Sequence, residues 1–323
     1  MEKIDAYLEG VCRAAIAGHT RPDGDCTGAT LALYNYIRDD YPDIDVTLYL
    51  EPIPNIFKFL KRSAEIVSDF SEDVNYDLFF ALDCGDLGRL GGAAKYFESA
   101  KRTICIDHHI SNQSFADVNY IVPEASSTSE LIFTLLDEEK ITKEIAECLY
   151  VGIIHDTGVF QYSCTSPRTM NIAGILMGKG IDYPDIVDKT FFERTFEQNR
   201  ILGTALIKAK RYCKNRCIAS IVTAEDMSAC HAKPKHLEGI VAQLRSTKGV
   251  DVSILIYETS DGHQKVSMRS NGAADVAAIS VKYGGGGHVR AAGITMDGEP
   301  EQILNMLLTD VRAQLLPQHG SMD

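Results

Sequence analysis

No apolar run in the 323 residues approaches the ~20 needed to span a bilayer, and no opening stretch runs from basic to apolar to small residues. These absences predict a protein without a membrane partner, and a cytoplasmic location is the expectation. The nine cysteines are odd in number and include no CxxC pair. Cys84 and Cys105 fall inside strand-like runs, so reduced thiols are expected rather than a disulfide framework. Cys213 and Cys217 lack the second pair that would complete a zinc site. Positive charge is also short: 32 Lys and Arg against 45 Asp and Glu give a formal charge of -13. That balance argues against a protein that coats long nucleic acid, and no basic, aromatic-interleaved groove for long single strands is present. A small phosphorylated ligand is still allowed, because carboxylates that hold divalent cations turn an acidic site into one that accepts phosphate.

What is present is 45% apolar and 24% charged, in a chain long enough for two ordinary domains. The first half reads as an α/β sheet. Arg13 to Gly18 is a short strand-like run. It leads into His19-Thr20-Arg21-Pro22-Asp23-Gly24-Asp25 and then an amphipathic helix over Thr27 to Ile37, for which Asp25 is the expected N-cap. Asp45 to Leu50 alternates like a second strand. Asp77 to Leu82 is a continuous apolar run of the kind a parallel sheet buries on both faces, and it ends in Asp83-Cys84-Gly85-Asp86. Ile104-Cys105-Ile106 is another such strand and delivers Asp107, His108 and His109 at its carboxyl end. Composition alone predicts an Asp-His-His triple about 0.02 times in this chain, so it asks for an explanation as a motif. Ser126 to Glu130 is a Ser/Thr-rich helix start, with hydroxyls for caps or phosphate. Ile141 to Ile154 reads as a buried helix that carries His155-Asp156-Thr157-Gly158.

Taken singly, each acid or histidine is explained by a cap or a turn. Together, three strand ends and one helix end finish in His or Asp, and in an α/β sheet such ends fall on one side of the molecule. Clustered carboxylates resist ionisation in one pocket unless cations or protons offset them. A mixed imidazole and carboxylate set without thiolate suits manganese, magnesium or a related divalent ion.

The order His-x-x-x-Asp-x-Asp, Asp-Cys-Gly-Asp, Asp-His-His and His-Asp-Thr-Gly resembles the four motifs of the DHH phosphoesterases. Tyr283 to Gly293, with four consecutive glycines before His288 and Arg290, resembles the glycine-rich motif of the DHHA1 domain. The pairing is similar to the nanoRNase and pAp-phosphatase branch. The resemblance implies a parallel-sheet DHH domain over 1–185 with helices on both faces, a helical linker over 186–205, and a smaller α/β DHHA1 domain over 206–318. It implies two divalent cations, manganese foremost with magnesium or cobalt as alternatives. His19, Asp23 and Asp83 would hold one; Asp25, Asp83, His108 and Asp156 would hold the other, with Asp83 bridging. His109 would face the scissile phosphate, and Asp107 would orient the neighbouring imidazoles. Gln161 and Cys164 stand where the branch more often has Arg and Asn, which bears on substrate preference.

In the second half, Cys217 to Thr223, Asp251 to Tyr257 and His263 to Met268 read as strands of a smaller sheet, with Asp261-Gly262 as a hairpin signal. Gly285, Gly286 and Gly287 expose backbone N–H groups that can approach an anion closely, beside His288 and Arg290. Arg245 and Arg269 are further candidates for holding phosphate or stacking on a base. The expected activity is hydrolysis of short oligoribonucleotides to nucleoside monophosphates, and of 3'-phosphoadenosine 5'-phosphate to AMP, with a homodimer as the candidate assembly. Competing readings are a cyclic- or linear-dinucleotide phosphodiesterase of the same family, a manganese pyrophosphatase, and an inactive nucleotide-binding protein.

Overall fold

Apolar runs such as Leu78–Leu82 offer no side to water, so they need cover on both faces, and the first half of the chain supplies it. The computed structural model describes residues 1–259 and 261–316; residues 317 and 318, the end of the second domain as read from sequence, lie outside the described residues. The chain divides into two compact units, Met1–Glu193 and a second beginning at Arg194. In the first, β1 (Arg13–Ala17), β2 (Asp45–Tyr49), β3 (Leu78–Leu82), β4 (Thr103–Asp107) and β5 (Val118–Ile121) form one sheet in the order β2-β1-β3-β4-β5. Every pairing is parallel. Ile16, Phe80, Leu82, Ile104 and Ile106 belong to a core shared with helices Gly24–Asp40, Thr128–Leu135 and Lys143–Asp156. Ala15, Ala17, Phe79 and Ala81 turn to the opposite face, against Tyr96 and Phe97 of helix Ala94–Ser99. Each large side chain buried in this way contributes about 1.5–3 kcal/mol.

From β1 the chain crosses outward to β2, then back past β1 to β3. That reversal opens a crevice at the carboxyl ends of the central strands, where such sheets place ligands. The register sets Ala17 beside Ala81 and Leu82 beside Ile106, so the residues after β1, β3 and β4 emerge side by side.

Two helices reach the same end of the sheet because glycines let them touch. A Cβ added to Gly28, one turn after Asp25, would lie 2.4 Å from the Cys148 carbonyl oxygen and 2.8 Å from the Gly152 nitrogen. Gly152 lies one turn before Asp156, and its added Cβ would meet Ser129 Oγ and come within 2.7 Å of Asp25 Oδ1. Backbone atoms cannot rotate aside, so Gly28→Ala is expected to destabilise the protein by about 1–3 kcal/mol. A urea denaturation midpoint falling at unchanged slope checks this; an unmoved midpoint would mean the helices do not need so close an approach.

The second unit holds β6 (Lys210–Tyr212), β7 (Cys217–Val222), β8 (Val252–Glu258), β9 (Gln264–Ser270), β10 (Gly286–His288) and β11 (Ala291–Met296), in the order β10-β11-β9-β8-β7-β6. Only β7 and β8 pair in parallel among these strands. Val266, Met268, Ile254 and Ile294 pack with Leu304, Leu307 and Val311 of helix Pro300–Leu315. Leu255 turns the other way, toward Val241 and Leu244 of helix Ile240–Arg245. Of residues 186–205, read above as a linker, 188–192 form a wide helical turn, and 196–205 open helix Phe196–Lys208, started by a Thr195/Gln198 capping box. Ile201 and Ala205 of that helix are fully buried with Val222 and Ile240, so this part is core material of the second unit.

Candidate metal centre

Asp83 leaves β3 with φ +55, a left-handed conformation that Asp tolerates better than most residues. Its N–H donates to the Ile106 carbonyl at 3.0 Å, which fixes the turn and holds the carboxylate over the sheet end. One oxygen, Oδ2, lies 3.5 Å from His19 Nε2; the other, Oδ1, lies 3.6 Å from His108 Nε2 and accepts from Thr128 Oγ1 at 3.0 Å. A single buried carboxylate therefore faces His19 with one oxygen and His108 with the other, and His109 Nδ1 lies 3.7 Å from Oδ1 as well. Around the first, His19 Nε2 is 3.6 Å from Asp23 Oδ1. Its Nδ1 meets the Thr20 carbonyl at 2.9 Å, which must accept a proton from Nδ1 and so leaves Nε2 as the nitrogen that faces the acids. Around the second, His108 Nε2 is 3.1 Å from Asp156 Oδ2 and 4.0 Å from Asp25 Oδ2.

Asp25 is not the helix cap expected from sequence. Asp23 takes that role, its Oδ1 accepting from the Asp25 and Cys26 backbone nitrogens at 3.1 Å. Asp25 sits instead in the first turn, fully buried. It accepts 2.6 and 2.9 Å hydrogen bonds from the Thr128 and Ser129 amides. These are orphan N–H groups at the start of helix Thr128–Leu135, where the helix dipole favours an anion. The hydroxyls of this Ser/Thr-rich start do supply the expected cap, Ser127 Oγ accepting from the Glu130 amide at 3.0 Å, while the anion at the next free amides is the Asp25 carboxylate.

Asp107, also fully buried, holds its neighbours. Its Oδ1 accepts from the His108 backbone at 2.8 Å and pairs with His109 Nδ1 at 2.7 Å, while Oδ2 accepts from Asn112 Nδ2 at 2.7 Å. With Nδ1 engaged, the free edge of the half-exposed His109 ring is Nε2. Asn112 was not singled out from sequence, although a lone amide three residues beyond two histidines is a usable signal.

Among the described residues no Lys or Arg forms an ion pair with Asp23, Asp25, Asp83, Asp107 or Asp156; their ionic neighbours are the three histidines. The electrostatics follow. Burial, then the Asp83 and Asp156 carboxylates, push Asp25 well above the usual carboxylate range. Burial alone would push His19 and His108 down, but Asp23 and Asp83 beside one, and Asp156, Asp25 and Asp83 beside the other, raise both to about 10. Protons bound this tightly by crowded oxygen and imidazole donors occupy places that divalent cations fit. The donors converge within 4.8 Å of one another in three groups: His19, Cys26 and Asp83; Asp83, His108 and His109; and Asp25, His108 and Asp156. Cys26 Sγ also lies in one such group, but burial raises its thiol pKa well above normal and leaves it a neutral neighbour. All nine cysteines are free.

In the second unit, Ser253, Arg269, Ala291 and His288 are successive partners across β8, β9, β11 and β10, and Leu255, Ser267, Gly293 and Gly286 form the next row. Residues opposite one another share a face, so Arg269, His288 and Gly286 come together. Arg290 lies in the turn between β10 and β11, and Arg245 ends its helix, outside this register. The expected glycine loop is partly an edge strand, and two of its glycines serve pairing. An added Cβ on Gly285 would lie 2.3 Å from the Gly293 carbonyl oxygen, and one on Gly287 2.4 Å from that of Ala291, whereas Gly286 meets nothing within 4 Å. Ser267 and Arg269 also line a cavity of about 310 Å³ with Gly239, Val241, Leu255 and Tyr257.

Comparison with known proteins places this geometry. Residues 13–153 match the DHH family, N-terminal domain, and residues 220–315 match the DHHA1 domain. A bifunctional oligoribonuclease and PAP phosphatase NrnA of Thermus thermophilus is 29% identical over 304 residues, which cover 93% of this chain and 89% of that protein. The Bacillus subtilis protein of that name is 25% identical over 286 residues, 86% of this chain and 87% of its own. The crystal structure of an exopolyphosphatase-related protein from Bacteroides fragilis aligns with a TM-score of 0.83 at 28% identity, over 97% of this chain and 96% of that one. The chain belongs to the DHH family, with a DHH N-terminal domain followed by a DHHA1 domain.

Proposed function

We propose that this protein is a metal-dependent phosphoesterase that cleaves oligoribonucleotides of two to about five residues, rather than long strands that need a basic groove, to nucleoside monophosphates. It also converts 3'-phosphoadenosine 5'-phosphate to AMP. The observation that carries the reading is the buried Asp83 carboxylate facing His19 with one oxygen and His108 with the other; the substrate class is drawn from the relatives' printed activities. His19, Asp23 and Asp83 would hold one divalent cation, and Asp25, Asp83, His108 and Asp156 a second, with manganese the first choice and magnesium or cobalt as substitutes. Such a pair supplies Lewis acidity at phosphorus and lowers the pKa of water toward neutrality. The protein's own groups do the rest. The Thr128 and Ser129 amides keep Asp25 aimed inward, and Thr128 Oγ1 does the same for Asp83. Asp107 fixes the His109 ring and raises its pKa through their hydrogen bond, so that Nε2–H can donate to a phosphoryl oxygen where negative charge grows.

Purified protein with manganese, offered a linear diribonucleotide, 3'-phosphoadenosine 5'-phosphate, a cyclic dinucleotide and pyrophosphate, tests the reading. Mononucleotide products from the first two are expected. Turnover of pyrophosphate or the cyclic dinucleotide alone would overturn it.

The second domain's part is to hold the nonreacting end of the substrate through the Gly286, His288 and Arg269 face and Arg290, with Arg245 a further candidate. Arg290→Ala is expected to lower kcat/KM on a diribonucleotide by a charge-assisted contact of about 1.5–3 kcal/mol, and to spare bis-p-nitrophenyl phosphate. Equal losses on both substrates would remove the gripping role.

A further inference from the structure

The loop after helix Lys143–Asp156 leaves from Asp156 and returns to it, the Cys164 thiol coming back to 3.6 Å from the Asp156 carbonyl oxygen. Three consecutive residues in it, Gly158, Val159 and Phe160, have left-handed backbones with φ of +57, +53 and +66. For the β-branched Val159 and the bulky Phe160 this is an outlier that persists only where the surroundings dictate it. They do so here. Phe160 packs against the first unit's core beside Tyr150, and its N–H donates to Thr157 Oγ1 at 3.1 Å. The Val159 and Tyr162 amides reach back to the Ile154 and Thr157 carbonyls at 2.8 and 2.9 Å.

The loop so held carries an exposed aromatic, Tyr162. Tyr162 is 57% exposed, yet the hydroxyl end of its ring lies directly over Gly158, where an added Cβ would come within 2.5 Å of Cζ. A ring that rests on backbone at its hydroxyl end and is open elsewhere offers flat contact area with only two side-chain torsions to fix on binding. It stands in a loop that starts at Asp156, whose carboxylate lies 3.1 Å from His108 Nε2, and that returns to the backbone carbonyl of the same residue. We infer that Tyr162 is a stacking platform for the nucleobase of the nucleotide whose phosphate is hydrolysed, and thus a specificity residue of this site. Bases at single-stranded ends are unstacked and offer a flat face that an aromatic side chain accepts with little regard to sequence. Gln161 and Cys164, the departures noted from the branch, flank this residue, so the loop that positions it is also where this chain differs. The inference rests on the proposed function.

The test compares wild type, Tyr162→Phe and Tyr162→Ala on a diribonucleotide with 2-aminopurine at the cleaved end and on its abasic counterpart. Steady-state kinetics are read together with stopped-flow quenching of the 2-aminopurine. Wild type and Tyr162→Phe should quench the base and turn over normally. Tyr162→Ala should lose quenching and about ten- to hundredfold in kcat/KM on the base-bearing substrate, chiefly through KM, with the abasic substrate unchanged. Unaltered kinetics and quenching in Tyr162→Ala would overturn the stacking role while leaving the function standing. Equal losses on both substrates would overturn it in favour of a purely structural loop. Wild-type protein inert toward diribonucleotides would sink the proposed function and the stacking role with it.

Discussion

Asp83→Ala and Asp83→Asn are both expected to abolish phosphoester hydrolysis, with kcat falling roughly a thousandfold or more, because metal acidity is worth several kcal/mol of transition-state stabilisation. The argument is geometric. Asp83 is the carboxylate that faces both His19 and His108, so its loss would remove the proposed shared ligand from both halves of the cluster. The fold should survive, since removing one buried charge relieves the crowding that raises Asp25. The two variants separate chemistry from strain. Asn keeps a side chain suited to φ +55, whereas Ala at that backbone angle adds about 1 kcal/mol of strain. Circular dichroism and thermal melts should show both folded, with Asp83→Ala the less stable; near-wild-type turnover in Asp83→Asn would refute the assignment.

His109→Ala should lower kcat by about 10²–10³ with two metals still bound, as expected for loss of one donor aimed at developing charge. The reason lies in its ring: Nδ1 is taken by Asp107 at 2.7 Å, and the ring is half-exposed, so Nε2 is available to substrate. His108, by contrast, points Nε2 at three carboxylates. Elemental analysis after manganese loading decides the matter. A variant that retains one metal instead of two makes His109 a ligand and moves the phosphate-facing role elsewhere.

The sheet of the first unit was readable because its strands are continuous apolar runs that end in ligand-type residues, and β1, β3 and β4 lie within a residue of where those runs put them. The assembly of His19, Asp83 and His108 followed from the rule that parallel strand ends share a side. The capping of the first helix was not readable. Asp23 and Asp25 both suit a cap, and the choice is made by the Thr128 and Ser129 amides, about a hundred residues away, which claim Asp25. Gly28 and Gly152 carry no local signal either, because their need for glycine exists only where two helices meet. In the second unit, β10 and β11 escaped notice because a strand of Gly286, Gly287 and His288 has no alternating pattern. Gly287 in that strand and Gly285 just before it answer to the carbonyls of Ala291 and Gly293.

The central claim is that one carboxylate joins two cation sites at the switch point of the sheet. Anomalous diffraction at the manganese edge, from crystals of the wild-type protein soaked in manganese, tests it most directly. Two peaks about 3.5–4 Å apart, one beside His19 and Asp23 and the other beside Asp25, His108 and Asp156, with Asp83 between them, are the predicted result. A single peak, or peaks away from Asp83, would contradict it.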